Sequence, residues 1–182
     1  MHYAKWHRCV ARSTRDIHAM ETLDEHFLRL TFALARQARQ QGGEPFGAVL
    51  VVDGAVVHQA WDRCAEFSDP TFHAELRVIS EHCQAERRIT LKGYTLYAST
   101  EPCPMCAGAI HWARISRVVF GVSQAMLQQL SGGSPKPSCA SIINTGATQV
   151  EIVGPLLPAE GLAVFDGYTF ASKVARQRAN LL

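Results

Sequence analysis

The stretch FGAVLVVDGAVVHQAW, residues 46–61, holds two runs of apolar and β-branched residues on either side of Asp53-Gly54. An Asp-Gly pair between two such runs is a strong short-range signal for a β-hairpin, because the tight turn needs positive φ at both central residues. The stretch therefore predicts two antiparallel strands joined by a tight turn.

A helix is predicted directly before this hairpin. TLDE at 22–25 is a capping box, in which the Thr22 hydroxyl accepts a backbone N–H of the first turn while the Glu25 side chain reaches back. QGG at 41–43 ends the helix, because glycine readily adopts the left-handed conformation found at helix C-termini. Between these signals, apolar residues recur at helical spacing. They are Leu23, Phe27, Leu30, Leu34 and Ala38.

Beyond the hairpin, residues 62–72 are predicted to form a loop, after which helices and strands alternate. The helices are HAELRVISEHCQA (73–85), PMCAGAIHWAR (104–114), SQAMLQQL (123–130) and the region from Pro158, and the strands are GYTLYAS (93–99), RVVFGV (117–122) and QVEIVG (149–154). SGGSPKPS (131–138) is a turn-rich loop. The order α-β-β-α-β-α-β-α-β-α predicts an α/β fold in which a mixed sheet is covered by helices on both faces.

Composition excludes several classes of protein. A chain of 182 residues, 47% hydrophobic and 19% charged, is ordinary for one globular domain. No run of eighteen apolar residues is present, so we expect no membrane span. The N-terminus carries no secretion signal, so we expect a cytoplasmic protein whose six cysteines are reduced thiols or metal ligands. Glycine-rich phosphate-binding motifs are absent from the sequence, which gives no support for a nucleotide cofactor.

Charge is unevenly distributed along the chain. Residues 1–42 carry seven Lys/Arg and four Asp/Glu, residues 43–170 carry eight and twelve, and residues 171–182 carry three and none. The body is therefore mildly acidic and both ends are basic. This distribution disfavours a broad nucleic-acid-binding face, which needs clustered Lys/Arg on the folded body.

Cys103 and Cys106 lie at the start of the second of these helices. Residues three apart share a helix face, so both sulfurs point to one spot. The helix N-terminus favours thiolate over thiol, and two thiolates suit zinc. Taken alone, the same spacing fits a redox dithiol or two structural thiols. His73 alone fits a hydrogen-bonded histidine, and Glu75 alone fits a solvated helix residue.

The combination of these four residues is more specific. His-x-Glu opens one helix and Pro-Cys-x-x-Cys opens another, which is the signature of zinc deaminases. Two thiolates and a neutral imidazole balance the charge of Zn²⁺, and a catalytic zinc keeps its fourth position for water.

Residues 22–125 resemble the cytidine deaminase-like superfamily, in particular its guanine deaminase and tRNA adenosine deaminase branch. PFGAVLV (45–51), the DPT-HAE segment (69–75) and EPCPMCAGAIHWARISRVVFG (101–121) carry the resemblance. It implies a three-layer α/β/α sandwich with a five-stranded mixed sheet, one zinc ion per chain and a homodimer. It also implies that His73, Cys103 and Cys106 are the zinc ligands and that Glu75 is the proton shuttle. Residues 1–21 are then a peripheral extension and residues 22–182 a single deaminase domain.

Asp62 occupies the position at which this branch commonly carries a substrate-holding Asn. A carboxylate only accepts hydrogen bonds, so Asp62 favours a substrate edge rich in donors. The alternative is that Asp62 caps a turn or pairs with Arg63 or Arg77.

Three aromatic residues are further candidates for substrate contact. Phe72 replaces the small residue usual before His-Ala-Glu and is expected to reshape the pocket wall. Phe46 and Trp112 either stack on a planar base or belong to the core.

The substrate prediction is a free purine such as guanine, or a related small amino-heterocycle, from which the enzyme releases ammonia. IHWAR (110–114) is similar to guanine deaminases, whereas CAGAIH (106–111) and RVVFG (117–121) are similar to tRNA adenosine deaminases. The acidic motif that guanine deaminases carry beyond this point is missing from residues 122–138. A tRNA-specific adenosine deaminase is therefore the alternative, and the basic ends favour it. A non-catalytic zinc-binding assembly module is a third reading, but it leaves Glu75 unexplained.

Overall fold

The computed structural model of the chain describes residues 21–146 and 149–170. The strands are β1 Gly47–Val52, β2 Ala55–Trp61, β3 Thr95–Thr100, β4 Arg117–Val122 and β5 Glu151–Val153. The helices are α1 Leu23–Gln40, α2 Cys64–Phe67, α3 Ala74–Ala85, α4 Pro104–Ala113, α5 Gln124–Ser131, α6 Cys139–Ile143 and α7 Pro158–Leu162, followed by a 3₁₀ helix over Ala163–Phe165.

The five strands form one mixed sheet in the order β2-β1-β3-β4-β5. β1 pairs antiparallel with both β2 and β3, whereas β3–β4 and β4–β5 are parallel. At the end of the hairpin Val52 pairs with Ala55, and Asp53 and Gly54 both have positive φ, 51° and 74°. The predicted hairpin and the five-stranded mixed sheet are confirmed.

Helices cover both faces of this sheet. Alternate residues of β1 point to opposite sides, so Val49 packs with Phe32 of α1 while Leu50 packs with the layer built from α3 and α4. Each face therefore has its own apolar core, and the predicted three-layer sandwich is confirmed. The largest fully buried side chains of the two cores are Phe32, Leu28, Leu50, Leu91, Leu96, Ile110, Ile115 and Ile143.

Helix α1 begins and ends where its sequence predicts. The Thr22 hydroxyl accepts the Glu25 N–H at 3.2 Å, and the Thr22 N–H donates to the Glu25 carboxylate at 2.8 Å. Close packing of α1 on the sheet requires glycine at position 47, because a Cβ there would lie 2.4 Å from the Thr31 carbonyl oxygen.

The described elements differ from the predicted ones in three places. The loop over 62–72 contains the short helix α2, and the segment after the turn-rich loop, for which no element is predicted, contains the short helix α6, whose N-cap Ser138 accepts the Ser141 N–H. The sequence predicts breaks at Gly161 and Gly167 in the helical region from Pro158, but Gly161 lies inside α7, which is followed by a 3₁₀ helix up to Phe165.

Parts of two other predictions lie outside the described residues. These are the peripheral extension, apart from Glu21, and any helix after Phe170. None of the described helices combines the length and the apolar character that a membrane crossing requires.

Candidate active site

Two helix N-termini meet beside the sheet, and the candidate metal ligands occupy them. His73 is the N-cap of α3, and Cys103 is the N-cap of α4, which has Pro104 in its first turn. Neither N-cap side chain makes a capping hydrogen bond. Cys106 follows one turn into α4 and is buried.

The three side chains form a nearly equilateral triangle. Nδ1 of His73 lies 3.6 Å from Sγ of Cys103 and 3.6 Å from Sγ of Cys106, and the two sulfurs are 3.7 Å apart. Tetrahedral ligands at the zinc distances of about 2.3 Å for sulfur and 2.0–2.1 Å for nitrogen are roughly 3.6–3.8 Å from one another. A disulfide would instead need the sulfurs at about 2.05 Å. The arrangement therefore fits zinc and excludes a disulfide in this structure.

Glu75 lies beside this triangle on the first turn of α3. Its Oε2 is 3.6 Å from Sγ of Cys106, and its side chain is buried. Burial raises the pKa of Glu75 to about 7, so the carboxyl group can hold or release a proton near neutral pH.

The ligand side chains also perturb one another. The hydrogen bond from Cys106, helped by His73, lowers the pKa of Cys103 to about 4, whereas the same bond and burial raise the pKa of Cys106. Burial lowers the pKa of His73, but its hydrogen bonds with Cys103 and Cys64 outweigh this effect and raise the value to about 11. Protons held by such a donor set are displaced when a dication binds.

A cavity of about 530 Å³ opens onto His73, Glu75 and Cys103. Its lining combines apolar side chains with polar ones, among them three carboxylates. The remaining lining residues are Glu44, Phe46, Thr100, Glu101, Gln124, Leu127, Ser131, Gly132, Gly133, Ser134, Lys136 and Phe170. A cavity of this volume is within the range of small-molecule binding sites, about 300–1,000 Å³.

A family model described as the cytidine and deoxycytidylate deaminase zinc-binding region matches residues 21–122, which include the whole triangle and Glu75. The chain belongs to this deaminase family. Members of the family are zinc-dependent hydrolases, and the predicted superfamily and cofactor are confirmed.

The relatives of this chain are deaminases named for different substrates. The chain is 45% identical over 96 residues to a tRNA-specific adenosine deaminase of Agrobacterium fabrum, a match that spans 53% of this chain and 63% of that protein. It is 42% identical over 97 residues to a guanine deaminase of Bacillus subtilis, spanning 53% and 62%. A probable cytosine deaminase of Schizosaccharomyces pombe is 36% identical over 151 residues, spanning 80% and 91%.

Solved structures show the same division. A structure from a study of A-to-I editing by tRNA:A34 deaminases superposes with a TM-score of 0.65 at 33% identity, covering 76% of this chain and 98% of that one. The guanine deaminase of Bacillus subtilis superposes with a TM-score of 0.58 at 33% identity, covering 82% and 96%. The shared fold is thus common to enzymes with different substrates.

Glu101 is a residue of the deaminase cavity that the sequence interpretation missed. Its carboxylate accepts the Gln124 N–H at 2.9 Å and the Cys139 N–H at 2.8 Å, which are the first residues of α5 and α6. Gln124 also donates its side-chain amide to the Glu101 carbonyl at 2.7 Å. The sequence signal that could have identified Glu101 is its position directly before the Pro-Cys-Pro run.

Asp62 does not line the cavity that opens onto Glu75. It is buried, and its Oδ1 accepts the backbone N–H groups of Glu44 and Cys64, each at 3.3 Å. Its Oδ2 accepts the Cys64 thiol at 3.2 Å. These hydrogen bonds match the alternative in which Asp62 caps a turn. Arg63 and Arg77 pair instead with Glu66 and Glu81, respectively.

The three aromatic candidates are separated in the deaminase structure. Phe46 lines the cavity. Phe72 stacks on Phe67 with ring centroids 4.7 Å apart, and Trp112 is 81% exposed beside His111. The structure therefore does not bring Phe72 or Trp112 into the cavity wall, and Trp112 is not a core residue.

Proposed function

We propose that this deaminase hydrolyses the exocyclic C–N bond of a free amino-bearing nucleobase, in the class of aminopurines such as guanine, and releases ammonia. The observation that carries this proposal is the cavity at Glu75. Its volume is in the range of small-molecule sites, and the apolar lining residues Phe46, Leu127 and Phe170 suit the faces of a planar ring.

His73, Cys103 and Cys106 would hold the zinc ion, which when bound supplies activation of water at neutral pH. Glu75 takes one proton of the attacking water and delivers it to the substrate, since its raised pKa suits transfer in both directions. The water oxygen adds to the amine-bearing ring carbon as a hydroxyl group. Glu75 then takes the proton of that hydroxyl and passes it to the amine, the C–N bond breaks, and ammonia leaves. A carbonyl group replaces the amine.

The charge of the cavity supports a small substrate. Among its lining residues, Glu44, Glu75 and Glu101 are acidic and Lys136 is the basic one apart from His73. Recognition of an RNA backbone depends on several Lys/Arg contacts to phosphates. Acceptor groups in the wall instead suit the ring N–H and amino groups of a base.

A second candidate is tRNA adenosine deaminase activity. The 45% identity with the Agrobacterium fabrum protein over 96 residues favours it. In that case the basic residues of 1–42 and 171–182 would contact phosphates, as the charge distribution indicates.

Ammonia release by the zinc-loaded protein distinguishes the two candidates. The panel contains guanine, adenine, cytosine and their nucleosides, alongside an anticodon stem-loop RNA in which inosine is measured by mass spectrometry. We expect ammonia from a free base, with guanine the leading one, and no inosine in the RNA. Inosine in the RNA at low salt, with no ammonia from any free base, would overturn the proposal in favour of the second candidate.

We also propose a homodimer formed through α4, where Trp112 is 81% exposed and Met105 is 37% exposed. The apolar residues that follow, Ile115, Val118 and Phe120, are buried in the core of the chain itself and are not available to a partner. Sedimentation at micromolar concentration should give twice the chain mass of 20.0 kDa. A monomer under these conditions contradicts the dimer, and Trp112→Glu should shift the dimer towards monomer.

A further inference from the structure

His73 stands between two groups of side chains. Its Nδ1 faces Cys103 and Cys106, each at 3.6 Å. A second group consists of Asp62, Cys64 and His73, whose potential ligand atoms all lie within 4.8 Å of one another. Cys64 donates its thiol to Asp62 at 3.2 Å, and its sulfur lies within 4.8 Å of a ring nitrogen of His73.

The chemistry of imidazole gives this second group a role. A neutral histidine has one N–H and one lone-pair nitrogen, so a ring that ligates a metal through Nδ1 carries its proton on Nε2. In metal sites that N–H is almost always donated to another group, which fixes the tautomer and the ring orientation. Because the cysteine pair occupies the Nδ1 side, Cys64 is left for the Nε2 side.

Asp62 is held firmly enough to anchor such a chain of hydrogen bonds. Its side chain is 3% exposed, and two backbone N–H groups hold Oδ1, so that Oδ2 is directed at the thiol. Its own N–H donates to the Phe46 carbonyl at 3.0 Å. A buried carboxylate is costly unless its oxygens are hydrogen-bonded, and the Cys64 thiol meets part of that requirement.

We infer that Cys64 and Asp62 are positioning residues for His73. Nε2–H of His73 donates to the Cys64 sulfur, the Cys64 thiol donates to Oδ2 of Asp62, and Nδ1 is thereby directed at Cys103 and Cys106. The inference rests on the proposed role of His73 as a zinc ligand. It replaces substrate binding as the role of Asp62.

Zinc affinity tests the inference without reference to turnover. Affinity is measured by competition with a chromophoric chelator, and the Co²⁺-substituted protein gives a spectrum that reports ligand geometry. We expect Cys64→Ala to bind zinc about 10–100-fold more weakly and to change the Co²⁺ spectrum. Cys64→Ser should recover most of the affinity, because a hydroxyl also donates and accepts. Cys83→Ala, at a half-buried thiol of α3, is the matched control and should bind as wild type.

Three results would overturn the inference. The first is wild-type zinc affinity in Cys64→Ala, and the second is a zinc affinity in Cys64→Ser that is no higher than in Cys64→Ala. The third is a stoichiometry of two zinc ions per wild-type chain and one in Cys64→Ala, which would make Cys64 a zinc ligand. Where Cys64→Ala does not fold, Asp62→Asn replaces it, since its amide presents a donor to the thiol. Weaker zinc binding in the folded Asp62→Asn protein supports the inference, and unchanged binding overturns it.

A further variant separates this inference from the ligand assignment. His73→Ala should lose zinc. Retention of zinc in that variant would refute the proposed role of His73, whereas loss of zinc there with wild-type affinity in Cys64→Ala refutes only the positioning role.

Discussion

Glu75 is buried against one of the candidate metal ligands, and this placement decides its chemistry. Desolvation raises its pKa to about 7, so both the acid and the carboxylate are present at neutral pH. Glu86, the C-cap residue of the same helix, is exposed. One side chain is thereby suited to accept a proton early in the reaction and to return it later.

Replacement of Glu75 by Gln should leave zinc in place and abolish most turnover. The amide keeps the size of the side chain but cannot exchange a proton, so we expect a loss of about 10²–10⁴-fold in kcat. Mass spectrometry measures whether zinc is retained, and ammonia release measures the loss of turnover. Glu86→Gln, at the exposed end of α3, is the control and should retain activity. Full activity in zinc-loaded Glu75→Gln would refute the proton-shuttle role.

The sequence predicts single residues unequally well. His73 and Cys103 stand at helix starts and Cys106 follows one turn later, so their spacing in the sequence limits where the three side chains can point. Substrate contact was harder, because it depends on which way a side chain turns relative to distant elements. Asp62 turns towards Cys64 and Glu44, away from the cavity, and no local pattern distinguishes these directions.

At the scale of elements, Glu101 joins the end of β3 to the first residues of α5 and α6. Both helices present N–H groups to one carboxylate, an arrangement favoured by the positive ends of helix dipoles. Glu101 thus fixes the elements that carry Gln124 and Leu127 into the cavity wall.

Glu101→Gln should destabilise the protein because the amide offers one acceptor oxygen in place of two. We expect the free energy of unfolding to fall by about 1–3 kcal/mol. Urea denaturation measures the change, with Glu86→Gln as the surface control. An unfolding midpoint equal to that of the control would show that the two helix starts do not depend on this carboxylate.

Asp24 makes a second junction between elements, from the first turn of α1 to β3 and β4. It accepts the Tyr97 hydroxyl at 2.7 Å and a two-pronged bond from Arg117 at 2.8 Å. The hydrogen bonds from Arg117, despite partial burial, lower the pKa of Asp24 below 3.8. The folded state therefore binds this proton less readily than the unfolded state does.

The stability that Asp24 contributes should be complete above its unfolded pKa of 3.8 and be lost as the pH falls through the lower folded value. Asp24→Asn should therefore be less stable than wild type by about 1–2 kcal/mol at pH 7, and the gap should narrow below pH 4. Thermal unfolding from pH 7 to pH 3 follows both proteins. A stability difference between the two proteins that stays constant from pH 7 to pH 3 would mean that the ionised Asp24 carboxylate does not cause it.

Most elements could be predicted because local signals agree with the packing. The hairpin has its turn residues, α1 has its capping box, and the apolar residues of both follow the required period. Helices α2 and α6 were missed because each spans only four or five residues. A short helix has almost no period to detect, and contacts made elsewhere, such as Glu101 to the first residue of α6, stabilise it.

For the whole molecule, the three candidate ligands connect the starts of α3 and α4, which are far apart in sequence. A metal bound there stabilises the folded state only, by about 4 kcal/mol at a thousandfold excess over the dissociation constant. For a chain of this length each kcal/mol raises the unfolding temperature by about 2–4 °C.

Chelation should therefore lower the unfolding temperature of the zinc-loaded protein by roughly 8–16 °C. Scanning calorimetry with and without a strong chelator gives the shift. Cys103→Ser is the control and should unfold at a lower temperature that the chelator does not change further. An equal response of wild type and Cys103→Ser would place the stabilising metal elsewhere.

One part of the cavity wall comes from a different part of the chain than the proposed metal-binding group. Gln124, Leu127 and the loop to Lys136 lie beyond the segment matched by the family model, and Glu101 attaches them to it through main-chain N–H groups. The main-chain attachments do not depend on side-chain identity, so substitutions of residues 125–136 leave them intact, whereas the Gln124 side chain also donates to the Glu101 carbonyl and must be kept. Directed evolution of substrate selectivity can therefore be limited to residues 125–136, while His73, Glu75, Cys103 and Cys106 stay unchanged.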